Sequence, residues 1–209
     1  MGVLVARLMG RTLISIALAL ATVGCGAPAG TPVGVSGAGS ALLWGHGDYG
    51  VVLAHEPGRD AQSWGPLAIK LANSGMTVLA PQQTDAAALL AAIKELHEGR
   101  GLARVALLAA GESSAAALQV GRDHPEQVDQ LILISARGDA ASLGVFPKLF
   151  IAGAGEGAAA DAQRMADESP GDWNAVFLAK GSASGQALLD SQGAEDVQTA
   201  ILRRLEERR

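Results

Sequence analysis

From residue 41 to the C-terminus, short apolar runs alternate with segments of helical period. Residues 51–54 (Val-Val-Leu-Ala) and 76–80 (Met-Thr-Val-Leu-Ala) are apolar on both alternating faces, as in strands covered on both sides of a parallel sheet. Further strands are predicted over 41–44, 104–109, 131–135, 148–152 and 175–179. The glycines of 45–50 read as a turn between the first two strands, with His46 in it. Trp64, Leu67, Ala68 and Leu71 recur at helical spacing, stopped by Asn73-Ser74-Gly75. Leu89, Leu90, Ile93 and Leu96 mark a second helix, capped by Thr84 or Asp85. A third ends near Gly121, a fourth covers 158–168, and Val197, Ile201, Leu202 and Leu205 share one face of a last helix over 196–208. Strand and helix alternate throughout, and crossover helices impose an α/β fold with a mostly parallel, doubly wound sheet. No internal repeat and no second domain fit.

The first 40 residues follow a different pattern. Arg7 and Arg11 precede an apolar run over 12–23, and small residues lead to Cys25. This is a secretory signal over 1–24. Residues 26–40, rich in Gly, Pro, Ala and Ser, complete a flexible tether over 25–40. The folded domain is then 41–209.

Composition narrows the function classes. Of 209 residues 49% are hydrophobic but only 3% aromatic, so the core is aliphatic. The net charge of −5 comes with no basic cluster, which argues against nucleic-acid binding. Cys25 is the only cysteine, so no internal disulfide forms. No His/Asp/Glu cluster has metal-ligand spacing, and the glycine-rich stretches lack both the Walker lysine and the dinucleotide pattern. No cofactor is expected.

The chemistry is concentrated at one corner. An apolar run ending at Ala109-Ala110 passes through Gly111-Glu112-Ser113-Ser114-Ala115 into an alanine-rich helix. That order places the Ser113 hydroxyl at a strand-to-helix turn. Gly111-Glu-Ser113-Ser-Ala115 resembles the nucleophile elbow of the α/β-hydrolase fold family, here of the serine esterase and dienelactone-hydrolase kind. Other landmarks come in the same order. They are residues 51–55 ending in His55, Ser63-Trp64 before a helix, Asp123-His124-Pro125-Glu126, Pro147 before the strand over 148–152, and Lys180-Gly-Ser-Ala-Ser184-Gly185. The resemblance covers about residues 41–209 and implies a single domain without a lid. Ala21-Thr22-Val23-Gly24-Cys25 likewise resembles a bacterial lipobox. That implies a lipidated Cys25 as the first mature residue and a protein held on a membrane of the cell envelope, outside the cytoplasm.

The resemblance assigns roles residue by residue. Ser113 stands as the nucleophile. Glu156, in the loop after residue 152, stands as the acid. The backbone N–H of Ser114 and that of Glu56 stand as oxyanion donors, unless Pro57, which has no N–H, takes the second place. Ser184 occupies the position of the catalytic histidine, and a hydroxyl has no basicity near neutral pH. Of the four histidines, His55 is the one expected at the same sheet edge, as a displaced base. Three readings follow. One is an active hydrolase of small acyl esters using Ser113. The second is a related envelope lipoprotein that binds a ligand or partner without catalysis. The third is an accessory lipoprotein that serves as a spacer. The missing base favours weakened or lost hydrolase activity.

Overall fold

The computed structural model describes residues 30–207. The signal at 1–24, the lipidation position Cys25 and the start of the tether lie outside the described residues.

The described residues form one eight-stranded sheet: β1 (Thr31–Val35), β2 (Gly39–Trp44), β3 (Tyr49–Ala54), β4 (Met76–Pro81), β5 (Arg104–Ala110), β6 (Gln130–Ile134), β7 (Lys148–Gly153) and β8 (Asn174–Ala179). Five α-helices join it: α1 (Gly65–Asn73), α2 (Ala86–Lys94), α3 (Ser114–Asp123), α4 (Ala158–Glu168) and α5 (Ala194–Glu206). The strand order is β1-β2-β4-β3-β5-β6-β7-β8. β1 pairs with β2 and β2 with β4 antiparallel, and all remaining pairs are parallel. The expected mostly parallel, doubly wound α/β sheet is the observed one.

Two expectations change. Residues 31–40 are not tether, because β1 and the start of β2 are an edge hairpin of the sheet. The small-residue composition of that stretch hides an alternation. Val35 and Ala38 are 4% and 0% exposed, and Gly37 and Gly39 take the positive φ values (84° and 71°) of the turn between the strands. The strands flanking residues 45–50 are not a hairpin either. β2 pairs with β4, and β3 lies beyond β4 in the sheet. Gly47 permits this connection by running against the Gly75 carbonyl, where a Cβ would come within 1.7 Å of the oxygen.

The alternation of strand side chains builds two cores. Val52, Ala54, Leu107 and Ala109 face α2, α3 and α4 on one side of the sheet. Val51, Leu53, Ala106 and Leu108 face α1 and α5 on the other. β3, β4, β6 and β7 are buried at every position, which is why they read as continuous apolar runs. Asp85, not Thr84, caps α2, accepting from the Ala88 amide at 3.0 Å.

Candidate active site

The parallel arrangement brings the C-terminal ends of β3, β5, β6, β7 and β8 to one edge, where ligands bind in open α/β sheets. Each loop leaving that edge except the one after β6 carries a residue singled out above. His55 and Glu56 follow β3, Gly111 to Ser114 follow β5, Ser135 follows β6, Glu156 follows β7 and Ser184 follows β8. The last two loops are locked together. The amides of Ala154 and Gly155 donate to the carbonyls of Ala179 and Gly181, each at 2.8 Å. A cleft of about 620 Å³ results, lined by Glu56, Gly111, Glu112, Ala115, Ser135, Arg137, Glu156, Ala158 and Ser184. Glu156 and Ser184 therefore meet at one site. Neither Ser113 nor any of the four histidines lines it.

The corner after β5 has a different register from the one the motif implies. A nucleophile elbow is a sharp, strained strand-to-helix turn with the nucleophile at its apex. Here the residue at the apex is Gly111. It follows the last strand residue directly and has φ +56°, whereas Ser113 has ordinary helical angles (φ −67°, ψ −12°) at the head of α3. The Ser113 hydroxyl points into the protein. Its one proton is shared between the Ala54 carbonyl at 3.0 Å and the Ala110 carbonyl at 2.8 Å, and the residue is 5% exposed. It thus ties the ends of β3 and β5 together. The Ser114 amide, assigned to the oxyanion hole, is turned back to the carbonyls of Glu112 and Gly111. Its own hydroxyl is buried with no hydrogen-bond partner.

Glu56 takes the space above the apex. A Cβ on Gly111 would lie 2.4 Å from Glu56 Oε2, and a Cβ on Gly185 would lie 2.1 Å from the same oxygen. Two glycines on different loops thus make room for one carboxylate. Arg59 Nε holds its other oxygen at 3.3 Å. His55 is 7% exposed, with Nδ1 3.2 Å from the Glu56 carbonyl and Nε2 3.3 Å from that of Gln82. Its ring bridges two backbone segments. His97 bridges the Leu102 and Gln127 carbonyls in the same way.

Sequence reasoning missed Ser135. It is the one non-glycine residue with positive φ (53°) among those described. Its amide donates to the Ile151 carbonyl at 2.7 Å. Its hydroxyl accepts from the Gly185 amide and donates to Glu156 Oε2, both at 2.8 Å. Glu156 Oε2 also accepts from the Gly153 amide at 2.9 Å. Glu156 therefore orients a serine at the end of β6, not an imidazole. Such a left-handed residue costs roughly 1–3 kcal/mol and persists where surrounding contacts over-determine it. No sequence pattern signals it, since only the turn's backbone sets the angle.

A mostly parallel eight-stranded sheet, helices on both faces and a cleft at the strands' C-terminal ends define a single-domain α/β-hydrolase fold. Solved structures agree. The dienelactone hydrolase of Anabaena variabilis superposes with a TM-score of 0.70 at 15% identity, over 86% of this chain and 96% of that one. The monoacylglycerol lipase of Paleococcus ferrophilus gives 0.68 at 12% identity, over 81% and 98%. The enol-lactonase of Burkholderia xenovorans gives 0.65 at 13%, over 84% and 100%. No protein-family model and no curated protein matches the sequence. At these identities the likeness is one of fold, and function has to be argued from the site.

Proposed function

We propose that this protein is an α/β-hydrolase-fold lipoprotein of the bacterial cell envelope that binds a small ligand without serine-hydrolase chemistry. The observation that carries this reading is the apex of the corner. Gly111 supplies no nucleophile, and the Glu56 carboxylate fills the space its side chain would need. Ser113 would have to abandon two carbonyl partners and change rotamer to reach the cleft. No imidazole lines the cleft to take its proton, and Ser184 has no basicity to offer. These features argue against the active-esterase alternative. The lining of hydroxyls, carboxylates and Arg137 suits a small polar ligand better than a fatty acyl chain. The lipobox-like ending at Cys25 supports anchoring to a membrane face outside the cytoplasm.

The test is activity-based labelling. Purified protein should show no Ser113-dependent reaction with a fluorophosphonate probe and no hydrolysis of short p-nitrophenyl esters. Labelling that disappears in Ser113→Ala overturns the proposal. For the anchor, the wild-type chain should partition into a detergent phase and Cys25→Ser should not. Equal partitioning of the two removes the lipoprotein part of the reading.

A further inference from the structure

The two edges of the sheet are protected very differently. β1 carries Pro32 and Gly34, residues that blunt an edge against further pairing. β8 reads Asn-Ala-Val-Phe-Leu-Ala, with no charge, proline or glycine. It pairs with β7 on one side and with no described strand on the other. A groove of about 530 Å³ runs along that free side. Residues 175–180 all line it. Side chains alternate along a strand, so six consecutive lining residues mean that the backbone edge itself is the wall. The opposite wall is one face of α5: Asp196, Thr199, Ala200, Arg203 and Glu207. Leu178 is 49% exposed, and Trp173, the residue before β8, is 54% exposed.

We propose that the occupant of this groove is a second copy of the chain, paired antiparallel through β8 about a two-fold axis normal to the sheet. The two walls of the groove are self-complementary. β8 has 6 residues and α5 has 13, so each is about 20 Å long. Each element can therefore pair with its own copy along its whole length. On α5, an axis between Thr199 and Ala200 sets Asp196 of one copy opposite Arg203 of the other, twice. The centre of that contact is then small side chains, with opposite charges at both ends. Arg203 is already paired with Glu207 at 2.8 Å, but its guanidinium has further N–H donors for a second carboxylate. On β8, an axis normal to the sheet keeps each side chain on its own face, so it passes through one residue and its own mate, Val176 against Val176 or Phe177 against Phe177. The spacing agrees as well. α5 packs on both β7 and β8, so with strands about 4.8 Å apart the two α5 axes fall about 10 Å from each other. That is helix-packing distance. The product is a continuous sheet that no longer exposes the β8 edge.

The test is sedimentation of the full chain in a density-matched detergent. Wild type should sediment as a dimer. Asp196→Arg and Arg203→Asp should each lose the dimer by setting like charges opposite each other, and the double charge swap should recover it. A short bis-maleimide should link copies carrying Thr199→Cys, while Gln119→Cys on exposed α3 should stay unlinked. A wild-type monomer at all concentrations overturns the proposal. So does a dimer that survives both single reversals, or single losses that the swap does not repair. Preserved thermal unfolding of each variant establishes that a loss is one of association.

Discussion

The reading of the corner after β5 rests on Gly111, and Gly111→Ala tests it quantitatively. At φ +56° an L-residue pays about 1–2 kcal/mol for the left-handed conformation. Restricting the unfolded chain returns about 0.4–1 kcal/mol. The net backbone cost is therefore about 1 kcal/mol. The new methyl also meets Glu56 Oε2 at 2.4 Å, well inside contact distance. The carboxylate must swing away and give up its 3.3 Å pairing with Arg59. Both side chains of that pair are partly exposed, so this adds about 0.5–1 kcal/mol. Gly111→Ala should thus cost about 1.5–2 kcal/mol, which lowers Tm by roughly 3–8 °C for a domain of this size. The assay is a double-mutant cycle by urea unfolding. In a Glu56→Ala background the backbone cost stays and the clash disappears, so the coupling should be about 0.5–1 kcal/mol. A neutral or stabilising Gly111→Ala would refute the positive-φ apex. An equal cost in both backgrounds would refute the placement of the Glu56 carboxylate above it.

Three other outcomes follow from the same geometry. Ser113→Ala should lower stability by about 1–2 kcal/mol through loss of a buried hydroxyl that serves two carbonyls; a variant as stable as wild type in urea would contradict that structural role. Ser184→His alone should give no esterase activity, because it supplies a base to a cleft whose apex residue is Gly111; measurable turnover of p-nitrophenyl acetate that Ser113→Ala abolishes would show otherwise. Lys148 is buried under β7, with its ammonium donating to the Phe146 and Pro170 carbonyls. Burial, and secondarily Arg204, lowers its pKa from 10.5 to about 8. Between those values the unfolded chain binds the extra proton, so this residue's contribution to stability rises with pH from about 8 to 10.5. The stability difference between wild type and Lys148→Met should move in favour of wild type across that window, and a flat difference in urea unfolding at both ends would count against the assigned burial effect.

The layers of the fold are legible in the hydrophobic pattern. Strands β3, β4, β6 and β7 are apolar on both faces, and helices recur between them. Burial on both sides leaves no other place for such runs, so sheet type and element order were legible before any coordinates. The sequence also placed Glu156 and Ser184 on loops that meet, because parallel strands deliver their C-terminal ends to one edge. Tertiary structure decided the rest. Gly111-Glu-Ser-Ser-Ala is small throughout, so composition sets no register for the turn. Backbone dihedrals put the glycine at the apex and the Ser113 hydroxyl two residues on, inside the protein. The alternation of Val33 and Val35 among Gly and Pro was too weak to read as a strand until β2 offered it a partner. Side-chain identity specified burial, which the hydrophobic effect enforces everywhere along the chain. Which atom faces the cleft depended on a few angles at the strand ends, and those are set by packing against neighbouring loops that are distant in sequence.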